Sequence, residues 1–527
     1  MTVLFPTNSS KTSTTGTSNN EVFSPIALSD DVPTSQGYIK PKSPVNIVAL
    51  APFNIEDESE GQASWYHASL HLTTASIGTG ILGLSKAFGY LNLITNAPGL
   101  VGCLFLSAAF VINWYTSWCL SKIHILAPSK EYPKGRRLKT FLEVGSYAWG
   151  NKVANFILTP LQLLNCVGTG IAYLIVAGNN IQSLYRLYGG SEDTKLMFFT
   201  IAAILCQLVL CLFPSLESFQ GMSFVGAMMS MVYAVIAIVL CFVLYGSPVI
   251  SPEPSYKISS GMDAMWNMFL GISTVAFLFG MQTIQPDVQS TLRRENPSTE
   301  VAYMRGLAGT YSVSIPLYVL IGVAGFLTFG EAVSSDILVS ISDVSTGSVV
   351  KIFITIAQVT VIVHVIVAYQ VWSMPVYALF ESWLAKFNNK NKPQTDDKFS
   401  FSAEEVESAL TVETVEAKSK FSFKLPLSPT VIAIRFAFVC FAGFVAMAIP
   451  FFGDIMALNG SIAIVPLCFI CPIALRFTTG DDRGSIGLPE KVWALSIMII
   501  MCVIAVIGGI SAVRQIILDA STYELFM

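Results

Sequence analysis

Apolar residues run along this chain in long stretches separated by polar connections, and the stretches match the roughly 20 residues a helix needs to cross a bilayer. Eleven membrane-spanning helices are predicted. They cover residues 64–90, 97–121, 153–185, 196–213, 222–245, 265–292, 308–329, 349–383, 429–452, 457–475 and 492–513. Residues 1–62 are polar and Pro/Ser-rich, as in a disordered tail open to phosphorylation. Between spans 8 and 9 lies a charged loop, 385–426, whose acidic stretch Glu404–Glu416 has the pattern of a short surface helix. The remaining chain, 63–527, reads as one transmembrane domain: a first half of about 64–245, a second of about 265–475, and an extra helix of about 492–513.

Two spans carry an interruption. In the first, Gly78-Thr79-Gly80-Ile81-Leu82-Gly83 has the glycine spacing of a dinucleotide-binding loop. That reading fails here: the run is apolar on both sides, no acidic residue occurs between Gly61 and Lys130, and a nucleotide loop needs a preceding strand and a ribose-binding acid. The glycines are instead expected to break a membrane helix and free its backbone groups. The sixth span runs from Ser273 through Gly280 to Pro286-Asp287, and it too is expected to unwind. Breaks at corresponding places in two five-helix halves mark an inverted-repeat secondary transporter with its site at the midplane. A simple kink at a packing contact is the alternative for either span alone.

Composition agrees with a membrane chain, since 53% of residues are hydrophobic and 12% charged, against roughly 25% charged in soluble domains. A net charge of −4 with basic residues confined to loops argues against a nucleic-acid partner. The ten cysteines show no ligand spacing apart from Cys468 and Cys471, which read as helix packing, so neither a metal nor another cofactor is expected. No cleavable signal peptide is expected, because the Ser/Thr/Asn-rich start lacks an apolar core. With a cytoplasmic amino terminus, twenty Lys and Arg fall in the cytoplasmic loops and only Lys86, Arg186, Lys195, Lys257, Lys351 and Arg514 on the other face. The positive-inside bias selects that topology and, with eleven spans, an outside carboxyl terminus.

Several motifs in order give the chain a family likeness. They are Trp65 to Gly83 in span 1, Thr140-Phe141-Leu142-Glu143-Val144-Gly145, Phe277-Leu278-Phe279-Gly280 with Pro286-Asp287-Val288-Gln289, His364 to Pro375, Pro450-Phe451-Phe452-Gly453, and Arg514 to Ala520. Together, from about Ser64 to the end, they resemble the amino acid/auxin permease family, and in particular its plant-type branch of lysine/histidine, proline and GABA carriers. The resemblance implies an all-α, LeuT-like fold of ten core helices plus one. It also implies proton-coupled import of small neutral or cationic amino acids at the plasma membrane, with a vacuolar or other endomembrane location as the alternative. Protons are the expected coupling ion, with sodium the weaker candidate. One departure is Ser85-Lys86, where many members have a proline and an aromatic.

For an α-carboxylate, the amides of Gly78, Thr79 and Gly80 at a half-helix start are the expected donors. Carbonyls near Ser76 and Ile77 and along Phe277 to Gly280 are the expected acceptors for the ammonium, with Phe277 or Phe279 as an aromatic gate. Asn165, Thr169 and Tyr173 share one face of span 3 and form either a pocket wall or inter-helix glue. His364 is the histidine deepest in a span and the leading proton carrier; Asp287 and Asp454 are acids near span ends, neither expected to be plainly buried. Lys86 either lines an outer vestibule or snorkels to the headgroups. His67 and His71 read as capping or packing groups rather than a metal site. A carrier, an amino acid-sensing receptor on the same fold, and a carrier of an auxin-like organic acid all fit these residues; a channel or an enzyme fits poorly.

Overall fold

The computed structural model describes residues 61, 63–94, 97–125, 137–212, 220–250, 253–258, 260–293, 298–390, 428–479 and 486–522. The expected tail, most of the 385–426 loop and its acidic stretch lie outside the described residues. All of the described chain falls in one unit, Ala49–Met527.

The predicted spans are found as helices or interrupted helices. The first is α1 (Trp65–Ser76), a 3₁₀ turn (Thr79–Gly83) and α2 (Leu84–Tyr90); the second is α3 (Leu100–Ile123). A short helix α4 (Phe141–Trp149) precedes α5 (Asn151–Leu187), α6 (Leu196–Leu210) and α7 (Gln220–Leu244). The sixth span is α8 (Gly261–Phe277), a 3₁₀ turn (Gly280–Ile284) and α9 (Gln285–Ser290), followed by α10 (Thr299–Phe329). Then come α11 (Ile337–Asp343), α12 (Ser348–Lys390), α13 (Pro429–Ala448), α14 (Phe452–Asn459), a π-helical stretch (Gly460–Ile470), α15 (Cys471–Thr479) and α16 (Leu488–Thr522). Among the described residues, eight helices are long and apolar enough to cross a membrane.

The breaks have local causes. Ile77 (φ −87°, ψ 73°) and Gly78 (φ −105°, ψ −159°) leave the helical region, so α1 stops and the chain restarts as a tighter 3₁₀ turn. In span 6, Phe279 (φ −104°, ψ 27°) ends α8, and Pro286, which has no N–H, sits harmlessly in the first turn of α9. The π-helical stretch around Pro466 leaves no mark on the hydropathy pattern; a proline inside a span removes one backbone bond, and the wider turn is a local way to absorb it.

Polar side chains then tie the broken pieces down. Gln282 donates to the Asn113 carbonyl and the Thr116 hydroxyl (3.3 and 3.2 Å), Gln285 to the Ser117 carbonyl (2.8 Å) and Gln289 to the Ser121 carbonyl (3.1 Å). These three buried glutamines dock the second half of span 6 along α3 like rungs. Where α1 begins, the Ala63 amide donates to the Thr291 carbonyl (3.0 Å) and the Arg293 amide returns to the Ala63 carbonyl (3.1 Å), joining the start of span 1 to the end of span 6. At the same face α4 starts with a capping box, the Glu143 amide donating to the Thr140 hydroxyl (3.1 Å) and the Thr140 amide to the Glu143 carboxylate (3.3 Å).

On the opposite face, α11 is a further helix that the hydropathy pattern does not reveal, because seven residues are too few to register as a span. It is anchored by Asp336, which is fully buried. Asp336 accepts from Asn180 of α5 (2.6 Å) and caps α11 through the Leu338 amide (3.0 Å). Burial pushes its carboxyl up to about 6 despite those bonds. Raised from the ordinary 3.8, it makes the protonated form the better fit, by an amount on the order of 3 kcal/mol. That contribution is complete below about pH 4 and fades as pH rises through about 6. Thermal unfolding of purified protein should therefore lose stability across this window in the wild type, and Asp336→Asn should flatten the slope. Asp336→Ala, which leaves Asn180 without its acceptor, should destabilise by about 1–3 kcal/mol at any pH.

Candidate functional site

The two breaks face each other. A Cβ added at Gly80 would lie 2.9 Å from Leu278 Cδ2 and 3.1 Å from Phe277 Cδ1, so a side chain at this position would keep the broken spans apart. Around the junction is a small cavity of about 30 Å³, lined by Ser76, Gly78, Thr79 and Gly80 from span 1 and by Phe277, Leu278 and Gly280 from span 6. Asn165, Thr169 and Tyr173 of α5 complete it with Trp372 and Ile464. That volume is about the share of one water molecule, so a ligand larger than water enters only if the walls move.

The backbone atoms divide by sign. The Gly78 amide is used, donating to the Ser76 carbonyl (3.0 Å), but among the described residues no backbone acceptor is found for the amides of Thr79 and Gly80. The Thr79 hydroxyl is also buried without a partner among those residues. Span 1 thus offers donors at the start of its second helical piece, where the helix dipole is positive. Opposite them, Phe277 and Leu278 have carbonyls that accept from no side chain or turn amide of the described residues. Carboxylate on one side and ammonium on the other is the polarity these atoms suit.

Several expected roles change. The Ser76 carbonyl is not available to an ammonium, because Tyr318 donates to it (2.6 Å) while also lying 2.8 Å from the Ser76 hydroxyl. Ile77 is fully buried and does not line this cavity. The same is true of Phe279, whose ring packs edge-on against Tyr311, Tyr318 and Phe469, so it has no free side to swing toward. Of the two phenylalanines, Phe277 is the one at the cavity, beside Tyr173 and Trp372. Asn165 and Thr169 serve both roles expected of them: they line the cavity and also receive the Asn459 amide group (3.4 Å to Asn165 Oδ1, 3.1 Å to Thr169).

His364 stands one layer behind the cavity. Its Nδ1 is 2.8 Å from the Gly226 carbonyl of α7, and a carbonyl only accepts, so this bond places the hydrogen on Nδ1. Nε2 is then a bare acceptor, buried and without a partner among the described residues. The rings of Tyr233 and Tyr173 lie edge-on to it at 5.8 and 6.5 Å, and Tyr233 donates to the Gly78 carbonyl (3.0 Å). Lys86 lines a second, larger cavity of about 470 Å³ toward the α11 face, and its ammonium donates to the Glu331 carbonyl (2.9 Å). Asp287 is exposed on α9 and lines neither cavity. Asp454, expected near the surface, is buried at 3% exposure because it lies under the larger cavity rather than at a rim. His67 caps α1, its ring 3.1 Å from the Ser64 hydroxyl.

Sequence reasoning does not reach Tyr233, Tyr318, Trp372, Asn459 and Ile464. A signal exists for the two tyrosines, since a hydroxyl deep in an apolar span needs an acceptor, and broken helices supply them.

Paired broken helices around a small polar gap in a membrane bundle define a transporter rather than an enzyme. The chain belongs to the transmembrane amino acid transporter protein family, whose model matches residues 61–516. It is 26% identical to lysine histidine transporter-like 1 of Arabidopsis thaliana over 474 residues, covering 89% of this chain and 91% of that one. It is 24% identical to GABA transporter 1 of the same plant, covering 89% and 94%. Among solved structures, MhsT in complex with L-phenylalanine is similar at 14% identity and a TM-score of 0.47, over 86% of this chain and 99% of that one. The inward-facing conformation of Mhp1 has the same identity and score, over 89% and 94%.

Gly78 and Gly80 separate the local demands of the site. A Cβ at Gly78 meets only the Tyr173 hydroxyl, at 3.6 Å, whereas one at Gly80 overlaps span 6. Gly78→Ala should fold and reach the membrane at wild-type abundance; Gly80→Ala should lose about 1–3 kcal/mol from overpacking, seen as a lower melting temperature in detergent.

Proposed function

We propose that the protein is a proton-coupled amino acid importer working by alternating access, with small neutral or cationic amino acids as substrates. The observation that carries this reading is one cavity lined both by Thr79 and Gly80, whose amides have no backbone acceptor among the described residues, and by Phe277 and Leu278, whose carbonyls accept from no turn amide of those residues. The substrate carboxylate takes the amides, its ammonium takes the carbonyls, and its side chain lies against Phe277, Trp372 and Ile464. Two five-helix repeats, about 64–245 and 265–475, hold one broken span each. A cytoplasmic amino terminus, which the charge bias favours, and the plasma membrane are the proposed topology and location.

His364 is the proposed carrier of the coupled proton. Its Nε2 has no partner among the described residues, and its neighbour Tyr233 donates to the same Gly78 carbonyl that borders the cavity. Protonation there and occupancy of the cavity thereby act on one piece of backbone. Sodium is not needed in this scheme.

The test is purified protein in proteoliposomes with radiolabelled amino acids. Accumulation above equilibrium should appear with an acid-outside gradient, survive removal of sodium, and collapse with a protonophore. Absence of accumulation under every gradient would remove the importer reading and leave a receptor-like binder. His364→Gln should reduce gradient-driven accumulation between about five- and a hundredfold while substrate-induced thermal stabilisation persists.

A further inference from the structure

The 470 Å³ cavity contains a group of charges that the substrate site does not use. Asp454 begins α14, Asp519 lies in the last turn of α16, and Lys86 projects from α2; all three line the cavity. Along α5 the small cavity is lined by residues up to Tyr173 and the large one by Gln182 and its neighbours, about 14 Å farther along. The charges therefore sit between the substrate site and the α11 face.

Asp454 is 3% exposed, and no N–H or O–H of the described residues donates to its buried Oδ2. Yet its side chain is in hydrogen-bonding contact with the Asp519 carboxyl. Two carboxylates have only acceptors, so this contact is a hydrogen bond only when a proton sits between them. Asp519 is fixed from its other side by Gln515, which donates to its Oδ1 (2.8 Å). It also lies at a helix carboxyl end, where the dipole opposes added negative charge.

We propose that Asp454 and Asp519 form a proton-binding site at the outer mouth of the transporter, holding one proton between the two carboxyls. The neighbouring groups are Lys86 and Tyr90 from α2, Glu331 after α10, and Arg186 and Asp343 across the cavity; Asp263 of α8 is already paired with Arg514 of α16 (2.7 Å). With one proton the pair carries a single negative charge, which Lys86 balances. Loss of that proton leaves two anions facing one cation, and α14 and α16 are pushed apart. The bound proton thus joins α14 to α16 beside α2, the outer half of span 1, and the mouth responds to the pH on that side.

Proton binding stands on this geometry alone; only its consequence for uptake rests on the importer reading. Infrared difference spectra of the purified full-length protein between about pH 5 and 8 read the first directly. In an Asp336→Asn background, which removes the other buried carboxyl that titrates in this window, a buried protonated-carboxyl band should titrate and should disappear on adding either Asp454→Asn or Asp519→Asn, with Asp343→Asn as the control that keeps it. Persistence of the band in both variants, at the melting temperature of that background, would overturn the proposal. In proteoliposomes the external-pH dependence of uptake, up to about tenfold per pH unit for one proton, should flatten in Asp454→Asn. Wild-type pH dependence in that variant would also overturn it. Failure of wild type to accumulate any amino acid would instead count against the importer reading and leave the infrared result to decide this one.

Discussion

A backbone inside a bilayer has no water to complete its hydrogen bonds, and the core of this protein is arranged around that constraint. Each break in a span releases amides and carbonyls whose neglect would cost several kcal/mol apiece. Here the released groups are sorted. Tyr318 takes the Ser76 carbonyl, Tyr233 takes that of Gly78, and Asn113, itself held by the Tyr311 hydroxyl, donates to Phe279 (3.2 Å). What these side chains leave uncovered is a short set of polar atoms at one place, and that place is the cavity. On the proposed function, specificity for a ligand with two opposite charges is a by-product of which backbone groups were not repaired.

Much of this is legible in the sequence, and for a physical reason. Crossing a bilayer demands about 20 apolar residues, so the spans announce themselves, and glycine and proline clustered inside such runs point to a helix that bends or breaks. The family motifs add order to that pattern, and the all-α fold with interruptions in the first and sixth spans follows. Gly78, Thr79, Gly80, Asn165, Thr169, Phe277 and Gly280 are expected near one another on this basis, and the structure sets them around one cavity.

What the sequence does not carry is direction. Phe277 and Phe279 are two residues apart and equally aromatic, yet one faces the cavity and the other is enclosed by Tyr311, Tyr318 and Phe469. Helical periodicity decides such questions only where the helix is regular, and here it is not. Asp454 escapes for a different reason: its partner Asp519 lies 65 positions later in the chain, and no local pattern links the start of one helix to the end of another. The short helix α11 and the π-helical stretch are similarly outside the reach of a hydropathy count.

The three glutamine rungs between span 6 and α3 bear on how the molecule moves. Each amide group reaches a main-chain oxygen roughly one helical turn from the last, so sliding of α9 along α3 by less than a turn would break all three bonds at once. The contact behaves as a ratchet tooth rather than a lubricated face. On the proposed alternating-access reading α9 and α3 travel as a single lever, and because Asn113 also ties the Phe279 carbonyl to α3, the compliant joint left in span 6 is where α8 ends, beside the cavity. In that reading motion and recognition share one pivot, and a substrate that fits the gap also sets the angle of the lever.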